Sequence, residues 1–167
     1  MSEYLKENEI RVLAVRQPWA SLIVEGLKHV ELRSKNTATW RKIAIYATKH
    51  KPTHKAIDAV RHSAFECDKH KYQKVPSKYF APYPGASYQT GSILGTVEIY
   101  NSYQLELNDF SEAESAITSG FVSKDMIVLG KTCIWKLKNP VKFSAPIPYN
   151  PPKGAIVWSK TVLPEGY

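Results

Sequence analysis

The stretch from Val12 to Arg33 constrains the fold more than any other part of the chain, because it combines a strand, a helix and a polar turn. It begins with an apolar run, Val12 to Val15, that predicts a short buried strand. Pro18 suits the first position of a helix, where its missing N–H costs nothing. That helix presents one apolar stripe to a core, formed by Trp19, Leu22 and Ile23.

A polar cluster with the spacing Gly26-x-Lys28-x-x-Glu31-x-Arg33 follows the helix. Gly26 supplies the positive φ at which a helix ends. Beyond it apolar and polar residues alternate, so a strand would bury one set and project Glu31 and Arg33 from the opposite face. These two charges lie about 7 Å apart along such a strand, and Lys28 can bend over the same space. We expect Lys28 and Arg33 to be exposed, and the cluster is either a structural ion pair or part of a site.

The rest of the chain predicts further strands and helices. The predicted strands are Arg41–Thr48, Ser92–Tyr100, Lys131–Leu137 and Ala155–Ser159. A helix capped by Thr53 runs to about Phe65, and a capping box that begins at Ser111 opens another helix that stops near Gly120. Gly95, inside a strand, marks a bulge or a close approach of two backbones. Strands and helices mixed in this way predict a small α/β (α+β) domain.

Two proline-rich segments interrupt the pattern. Lys69–Thr90 carries five aromatic residues among three prolines, which exclude a regular helix or a central strand. Its lysines and tyrosines suit backbone phosphates and stacked bases, and they equally suit a loop whose aromatic side chains cover one end of the domain. Pro146–Pro152 predicts an extended connector.

Length and composition fit one domain over residues 1–167, with a core over about 11–160. A chain of 167 residues, 43% of them hydrophobic, can bury about 70% of its unfolded surface. The two cysteines, Cys67 and Cys133, lie in contexts that argue against a disulfide framework and favour a reducing compartment. The first residues lack the apolar run of a signal peptide, and no 18 apolar residues follow one another. We therefore expect an intracellular protein, cytoplasmic or nuclear, without a membrane partner.

The excess of positive charge lies in one half of the chain. Residues 1–80 hold 16 Lys and Arg against 8 Asp and Glu, whereas residues 81–167 hold 7 of each. This bias favours a surface that meets phosphates, and it is also typical of a solvated basic surface that aids solubility. A membrane surface is the weaker partner, because the basic residues do not form a helix with a large apolar face.

Five motifs resemble those of the ASCH domain family, whose barrel is like that of the PUA domain. They are Q-P-W-A-S-L-I (17–23), G-x-K-x-x-E-x-R (26–33), R-K-I-A-I-Y-A-T (41–48), G-S-I-L-G-T-V-E (91–98) and C-I-W-K-L (133–137). The Trp after the proline and the Ser after the arginine are most similar to the eukaryotic cointegrator branch of the family. The resemblance implies a small PUA-like twisted β-barrel of about five to seven strands with two or three flanking helices.

The resemblance also implies a basic cleft between the barrel and the first helix, which the polar signature lines. It favours a module that binds nucleic acid, RNA or a single strand above all, without breaking a bond. The expected partners are RNA or DNA and a larger transcription or RNA-processing complex. The candidate nucleic-acid-binding residues are Arg16, Trp19, Lys28, Glu31, Arg33, Ser34, Thr48 and Lys49.

A hydrolase is the alternative hypothesis, because some bacterial members of the family deacylate 4-acetylcytidine and others are reported as ribonucleases. A lysine with a lowered pKa beside a carboxylate can activate water, so Lys28, Glu31 and Glu98 would be the catalytic residues. Glu31 stands where the related deacylases carry a threonine nucleophile, and a glutamate cannot follow the same route. A protein-interaction module is a third class.

No cofactor and no metal are expected. Four histidines lie between residues 50 and 70, at positions 50, 54, 62 and 70, and Cys67-x-x-His70 has a ligand-like spacing. A structural zinc site needs four well-spaced ligands, which this pattern does not supply. Solvated histidines on a basic face are the interpretation that we prefer.

Overall fold

The computed structural model describes residues 8–69 and 88–167, without the side chains of residues 65–69. Most of the proline-rich segment Lys69–Thr90 therefore lies outside the described residues. A short 3-10 turn, Lys124–Met126, precedes the fifth strand. The other elements are β1 (Glu9–Val15), α1 (Trp19–Val24), β2 (Val30–Arg33), β3 (Lys42–Ala47), α2 (His54–Lys69), β4 (Ser92–Gln104), α3 (Phe110–Gly120), β5 (Cys133–Pro148) and β6 (Trp158–Val162).

The six strands form one sheet in the order β2-β5-β4-β3-β1-β6, so the predicted mixed α+β class is confirmed. β1 and β3 run parallel, and every other neighbouring pair is antiparallel. The sheet curls but does not close into a barrel. Side chains connect its two ends: the rings of Trp135 on β5 and Trp158 on β6 stack with centroids 5.7 Å apart. Arg33 on β2 also donates a hydrogen bond of 2.8 Å to the carbonyl of Ala14 on β1.

The two faces of the sheet have different covers. The inner face carries the main core, in which strand side chains such as Leu13, Ile43 and Trp135 pack against Ile23 of α1. The outer face is covered in two places. One is a cluster around Tyr46, and the other is α3, which packs over Val30 and Ile134. Alternate residues of a strand face opposite sides, so β2 contributes to the inner face and to the outer face. The core covers its inner side, and α3 covers its outer side.

The strands extend further than the sequence predicted. β5 continues to Pro148 and includes part of the expected connector, and β4 continues to Gln104. β6 begins at Trp158, three residues later than expected. Prolines are tolerated in the second half of β5 because β2 pairs only with Cys133 to Lys136, which leaves the rest of β5 as an edge strand.

Some predictions from local sequence patterns are confirmed, and others are wrong. The Thr53 hydroxyl accepts a hydrogen bond of 3.2 Å from the Ala56 N–H, as an N-cap does, but α2 runs on to Lys69. The capping box was wrong: α3 begins at Phe110, so Ser111 lies inside it. The predicted close approach of two backbones at Gly95 is confirmed, because a Cβ there would lie 2.1 Å from the carbonyl oxygen of Val141. Within the part of the chain that the structure describes, no helix is both long and apolar enough to cross a membrane.

Candidate functional site

A cleft of about 380 Å³ opens where the parallel strands β1 and β3 both end. The start of α1 and the polar side of β2 form one wall, and the segment that leads into β6 forms the other. The lining residues are Ala14, Val15, Arg16, Trp19, Glu31, Leu32, Arg33, Thr48, His50, Ile156 and Val157.

Five of the eight candidate binding residues line this cleft, and three do not. The five are Arg16, Trp19, Glu31, Arg33 and Thr48. Lys28 lies behind the cleft wall, buried in the protein. Ser34 is exposed just beyond β2, and the Lys49 ammonium donates to the side-chain oxygen of Asn150 at 2.7 Å. The cleft therefore brings together a part of the predicted set that is separated by up to 32 positions in sequence.

The turn after α1 fixes where the polar cluster begins. Gly26 has a φ of 74°, which a side chain would strain. The backbone N–H groups of Leu27 and Lys28 both donate to the carbonyl of Leu22, at 2.9 and 3.0 Å. These bonds close the helix end and aim Lys28 back under the sheet, so the glycine places the lysine.

A chain of buried charges starts at that lysine. The Lys28 Nζ lies 3.4 Å from Glu31 Oε2, and Glu31 Oε1 lies 2.9 Å from Arg33 Nη2. Lys28 Nζ also donates to the carbonyl of Gly120, at 2.6 Å, where α3 ends. A cation at the C-terminal end of a helix is favourable, because the last carbonyls carry partial negative charge. The three charges thus join the turn, β2 and α3.

The expectation that Lys28 would be exposed was wrong. It is 2% exposed, and Glu31 is buried as well. The polar side of β2 faces the inside of the curled sheet, where Trp135 pairs with Glu31, so the alternation was read correctly but the polar side is not the solvent side. Burial lowers the pKa of Lys28, since a charged ammonium loses hydration; nearby Arg33 acts in the same direction and Glu31 against it.

Arg33 and Thr48 each hold a buried polar atom without a partner. The Nη2 of Arg33 forms an ion pair with Glu31 and donates to the Ala14 carbonyl, but the Nε–H of Arg33 is buried with no hydrogen-bond acceptor. The Thr48 backbone N–H donates to the carbonyl of Val15 at 3.0 Å, whereas its hydroxyl has no partner. Unpaired buried polar groups cost free energy and are uncommon, so both atoms call for an explanation.

Trp19 serves both the core and the cleft. Its ring packs against the main core and against the cluster of α1, α2 and Phe121. Its Nε1–H donates to the Phe121 carbonyl at 2.7 Å, which fixes the ring plane. An indole held in this way is a rigid apolar wall, of the kind that stacks on a planar ligand.

The structure does not bring Glu98 to the cleft. Glu98 lies on the outer face of β4, where its Oε2 accepts from the Asn139 side chain at 3.1 Å and lies 3.8 Å from the Lys138 ammonium. The three residues of the hydrolase hypothesis therefore do not share one surface. Lys28 is buried, Glu31 lines the cleft and Glu98 faces outward.

Six lining residues were not among the predicted site residues: Ala14, Val15 and Leu32, which belong to predicted strands, and His50, Ile156 and Val157. His50 was counted among the solvated histidines, and Ile156 and Val157 were read as strand residues without a role. The Ala14 N–H donates to the Val157 carbonyl at 3.0 Å, which brings this segment beside β1. No local pattern reveals such a neighbour, because it follows from the pairing of strands more than 140 residues apart.

The described part of the chain contains no cluster of metal-ligating side chains. No three side chains of His, Cys, Asp or Glu in residues 8–64 and 88–167 lie close enough together to hold an ion. The Cys67 side chain and His70 lie outside the described residues, so the C-x-x-H pair is not part of that statement. Cys133 is a free thiol in the core, where burial raises its pKa.

Comparison with known proteins agrees with this fold. The family model of the ASCH domain matches residues 13–147, and the chain belongs to the ASCH domain family. Activating signal cointegrator 1 of Homo sapiens is 29% identical over a segment that covers 77% of this chain, and the Mus musculus protein of that name is 28% identical over the same share. This chain spans 22% of the length of either relative.

A solved structure shows the same fold. The crystal structure of ASCH from Zymomonas mobilis superimposes with a TM-score of 0.53 and 18% sequence identity, and the match covers 95% of this chain and 90% of that one. Likeness at this identity establishes the fold alone, and what the cleft does has to be argued from its residues.

Proposed function

We propose that this protein binds nucleic acid, a single-stranded RNA in the first place, and that the cleft at the ends of β1 and β3 receives it. The observation that carries the proposal is that two residues lining one cleft, Arg33 and Thr48, each hold a buried polar atom without a partner, Nε and Oγ1. A ligand that offers an acceptor to the arginine and a partner to the hydroxyl would remove both costs.

The other lining residues suit a nucleotide. Arg16 is exposed at the rim, and Arg33 keeps its charge near the surface because its side chain is 20% exposed. Two guanidinium groups recognise phosphate or the acceptor edge of a base. The Trp19 ring and the apolar side chain of Ile156 offer apolar walls, and bases of single-stranded RNA stack on aromatic rings.

The basic half of the chain supports the same partner. Residues 1–80 carry the whole net charge of +8, and the cleft takes most of its polar lining from that half. The names of the human and mouse relatives support a role within a larger transcription complex as a second part of the proposal. The hydrolase alternative has less support, because Lys28 is engaged behind the wall and Glu98 lies elsewhere.

The test is a binding titration with a labelled single-stranded RNA of twelve nucleotides and the matching DNA and duplex. With four to six phosphate contacts, raising salt from 50 to 200 mM should weaken binding on the order of 10²-fold. Arg33→Lys keeps the charge but removes the Nε–H, so we expect affinity to fall about 10-fold or more. Lys55→Gln is the matched control, since Lys55 pairs with Asp125 on an exposed surface outside the cleft.

Two results would overturn the proposal. One is the absence of binding to every oligonucleotide at 50 mM salt, the condition that favours phosphate contacts most. The other is an Arg33→Lys protein that melts like the unchanged chain and binds as tightly as the Lys55→Gln control. Preference for RNA over DNA of the same sequence would support the RNA form of the proposal, and equal affinity would restrict it to single strands in general.

A further inference from the structure

The residues that the structure describes leave part of the outer face of the sheet exposed between its two covered parts. Two large aromatic side chains are exposed there, Trp40 at 62% and Tyr100 at 45%. Three lysines project from the same face of the sheet: Lys42, Lys138 and Lys136, whose ammonium lies 5.4 Å from the centre of the Tyr103 ring. We call these five residues the outer platform. None of them lines the cleft described above.

Strand register brings the platform together. Lys42 on β3 pairs with Glu98 on β4, and Glu98 pairs with Lys138 on β5, so one row crosses three strands. The Arg41 carbonyl accepts from the Ile99 N–H at 3.1 Å. Trp40 and Tyr100 are the next residues along the two chain segments, so their backbones follow directly on this bonded pair.

A β-bulge presents the tyrosine. Ile99 pairs with Leu137 and Asn101 pairs with Lys136, so Tyr100 is the extra residue on β4. A bulge leaves one residue unpaired and can re-aim its side chain. Ile99 remains in the inner core while Tyr100 turns to the solvent.

Charge on the platform is positive after its pairs are counted. Glu98, which accepts from Asn139 and lies near Lys138, is the acidic neighbour of the row. Among the side chains that the structure describes, those of residues 8–64 and 88–167, no carboxylate partner is found for Lys42 or Lys136. The Lys138 ammonium lies 5.5 Å from the centre of the Tyr100 ring, which keeps one ring face beside a cation.

We propose that the outer platform is a second contact surface for single-stranded nucleic acid, on which two bases stack on Trp40 and Tyr100 while the lysines neutralise adjacent phosphates. Exposed aromatic rings interleaved with lysines are the combination that binds single strands without sequence preference. This inference rests on the proposed function, and it adds that the ligand extends beyond the cleft. An acidic peptide could meet the lysines but would leave the two rings without planar partners.

The two surfaces lie at opposite ends of β3. Thr48 follows the last residue of β3 and Lys42 is its first, so six residues separate them, about 20 Å along a strand. A trinucleotide has two internucleotide steps and cannot span that distance even at twice the stacked rise of about 3.4 Å. A strand of twelve nucleotides can reach both. Ligands of different length therefore distinguish binding at the platform from binding at the cleft.

The experiment compares the affinities of a trinucleotide and a dodecanucleotide for Trp40→Ala/Tyr100→Ala. The dodecamer should bind roughly 10-fold more weakly or worse, because each stacked base contributes strongly, while the trinucleotide should change by less than about twofold. Leu107→Ala/Phe110→Ala is the matched control, since it removes two other exposed apolar side chains. Thermal melting of all variants shows whether they fold.

A second variant keeps the test decisive if the aromatic double variant does not fold. Lys42→Gln/Lys136→Gln should lower the slope of log affinity against log salt by about 1.4 for the dodecamer, since each single-strand contact contributes about 0.7. Lys55→Gln/Lys153→Gln removes two exposed lysines outside the platform and should leave that slope nearly unchanged.

Several results would overturn the platform. Unchanged dodecamer affinity in Trp40→Ala/Tyr100→Ala would do so, and the proposed function would survive if Arg33→Lys still weakened binding. Equal weakening of both ligand lengths would contradict a surface separate from the cleft. Displacement of the dodecamer from the platform by polyglutamate of equal charge would favour an acidic peptide instead. Absence of binding to either ligand at 50 mM salt would overturn both proposals.

Discussion

The two ends of the Lys28–Glu31–Arg33 chain contrast sharply in how their polar atoms are satisfied. At the Lys28 end, the ammonium is enclosed, bonded to the Gly120 carbonyl and close to Glu31. At the Arg33 end, the guanidinium reaches the cleft and one of its buried N–H groups has no acceptor. A structural ion pair and the group that we propose for binding therefore occupy the same three-residue chain.

Under the proposed function, the same family signature serves the fold and a ligand together. Burying three charges is costly, and the cost is offset only where each charge has good partners. Lys28 and Gly120 hold β2 against α3, which keeps Glu31 in place. Glu31 then fixes one side of the Arg33 guanidinium, and the Nε–H has no acceptor in the protein. The lysine is thus a positioning residue for the arginine.

The largest expected effect is the loss of stability in Lys28→Met. This change leaves the Gly120 carbonyl and one Glu31 oxygen without their partner, and breaking a buried pair costs about 3–5 kcal/mol. The melting temperature should fall by roughly 6–20 °C, at about 2–4 °C per kcal/mol for a chain of this size. Lys55→Met removes an exposed ion pair and should cost less than about 1 kcal/mol. Equal melting temperatures for the two variants would remove the contrast.

A smaller effect should appear in the pH dependence of stability. Burial lowers the pKa of Lys28 from its ordinary 10.5, so above the folded-state pKa the unfolded chain holds this proton more tightly than the folded chain. In the window up to 10.5 the unfolded state binds more protons, and stability from this group rises with pH. The free energy of unfolding of the unchanged protein, minus that of Lys28→Met, should therefore increase as the pH rises toward 10.5. A difference that falls with pH would contradict a desolvated lysine.

Sequence reasoning found the parts of the molecule that short-range patterns determine. The apolar run of β1, the stop at Gly26 and the Thr53 cap each depend on residues close in sequence. The resemblance to the ASCH domain family supplied the fold, and the family match confirms it. The parallel ends of β1 and β3 then place Arg16 and Thr48 together, as expected for two strands that share an edge.

The parts that sequence reasoning missed depend on distant pairing. Alternation on β2 showed that Glu31 and Arg33 share a side, but which side faces solvent depends on the curl of the sheet. Lys28 is buried because the end of α3, 92 residues away, supplies an acceptor. Ile156 reaches the cleft through β6, and Tyr100 turns outward at a bulge that no local residue signals.

The smallest expected effect on stability belongs to Thr48→Val, and it sharpens the contrast most. A buried threonine that loses a hydrogen bond typically destabilises a protein by about 1–3 kcal/mol, because its former partner stays unsatisfied. Thr132 is such a case, since its hydroxyl accepts from the Val128 N–H at 2.8 Å, and Thr132→Val should show this cost. The Thr48 hydroxyl has no partner, so Thr48→Val should change the free energy of unfolding by less than about 0.5 kcal/mol or stabilise the protein.

Affinity for single-stranded RNA should nevertheless fall about 5-fold or more, as expected when a ligand loses one hydrogen bond of roughly 1 kcal/mol. Chemical denaturation and a binding titration on the same two variants measure both quantities. If Thr48→Val costs as much stability as Thr132→Val and binds RNA unchanged, the hydroxyl supports the fold and not a ligand.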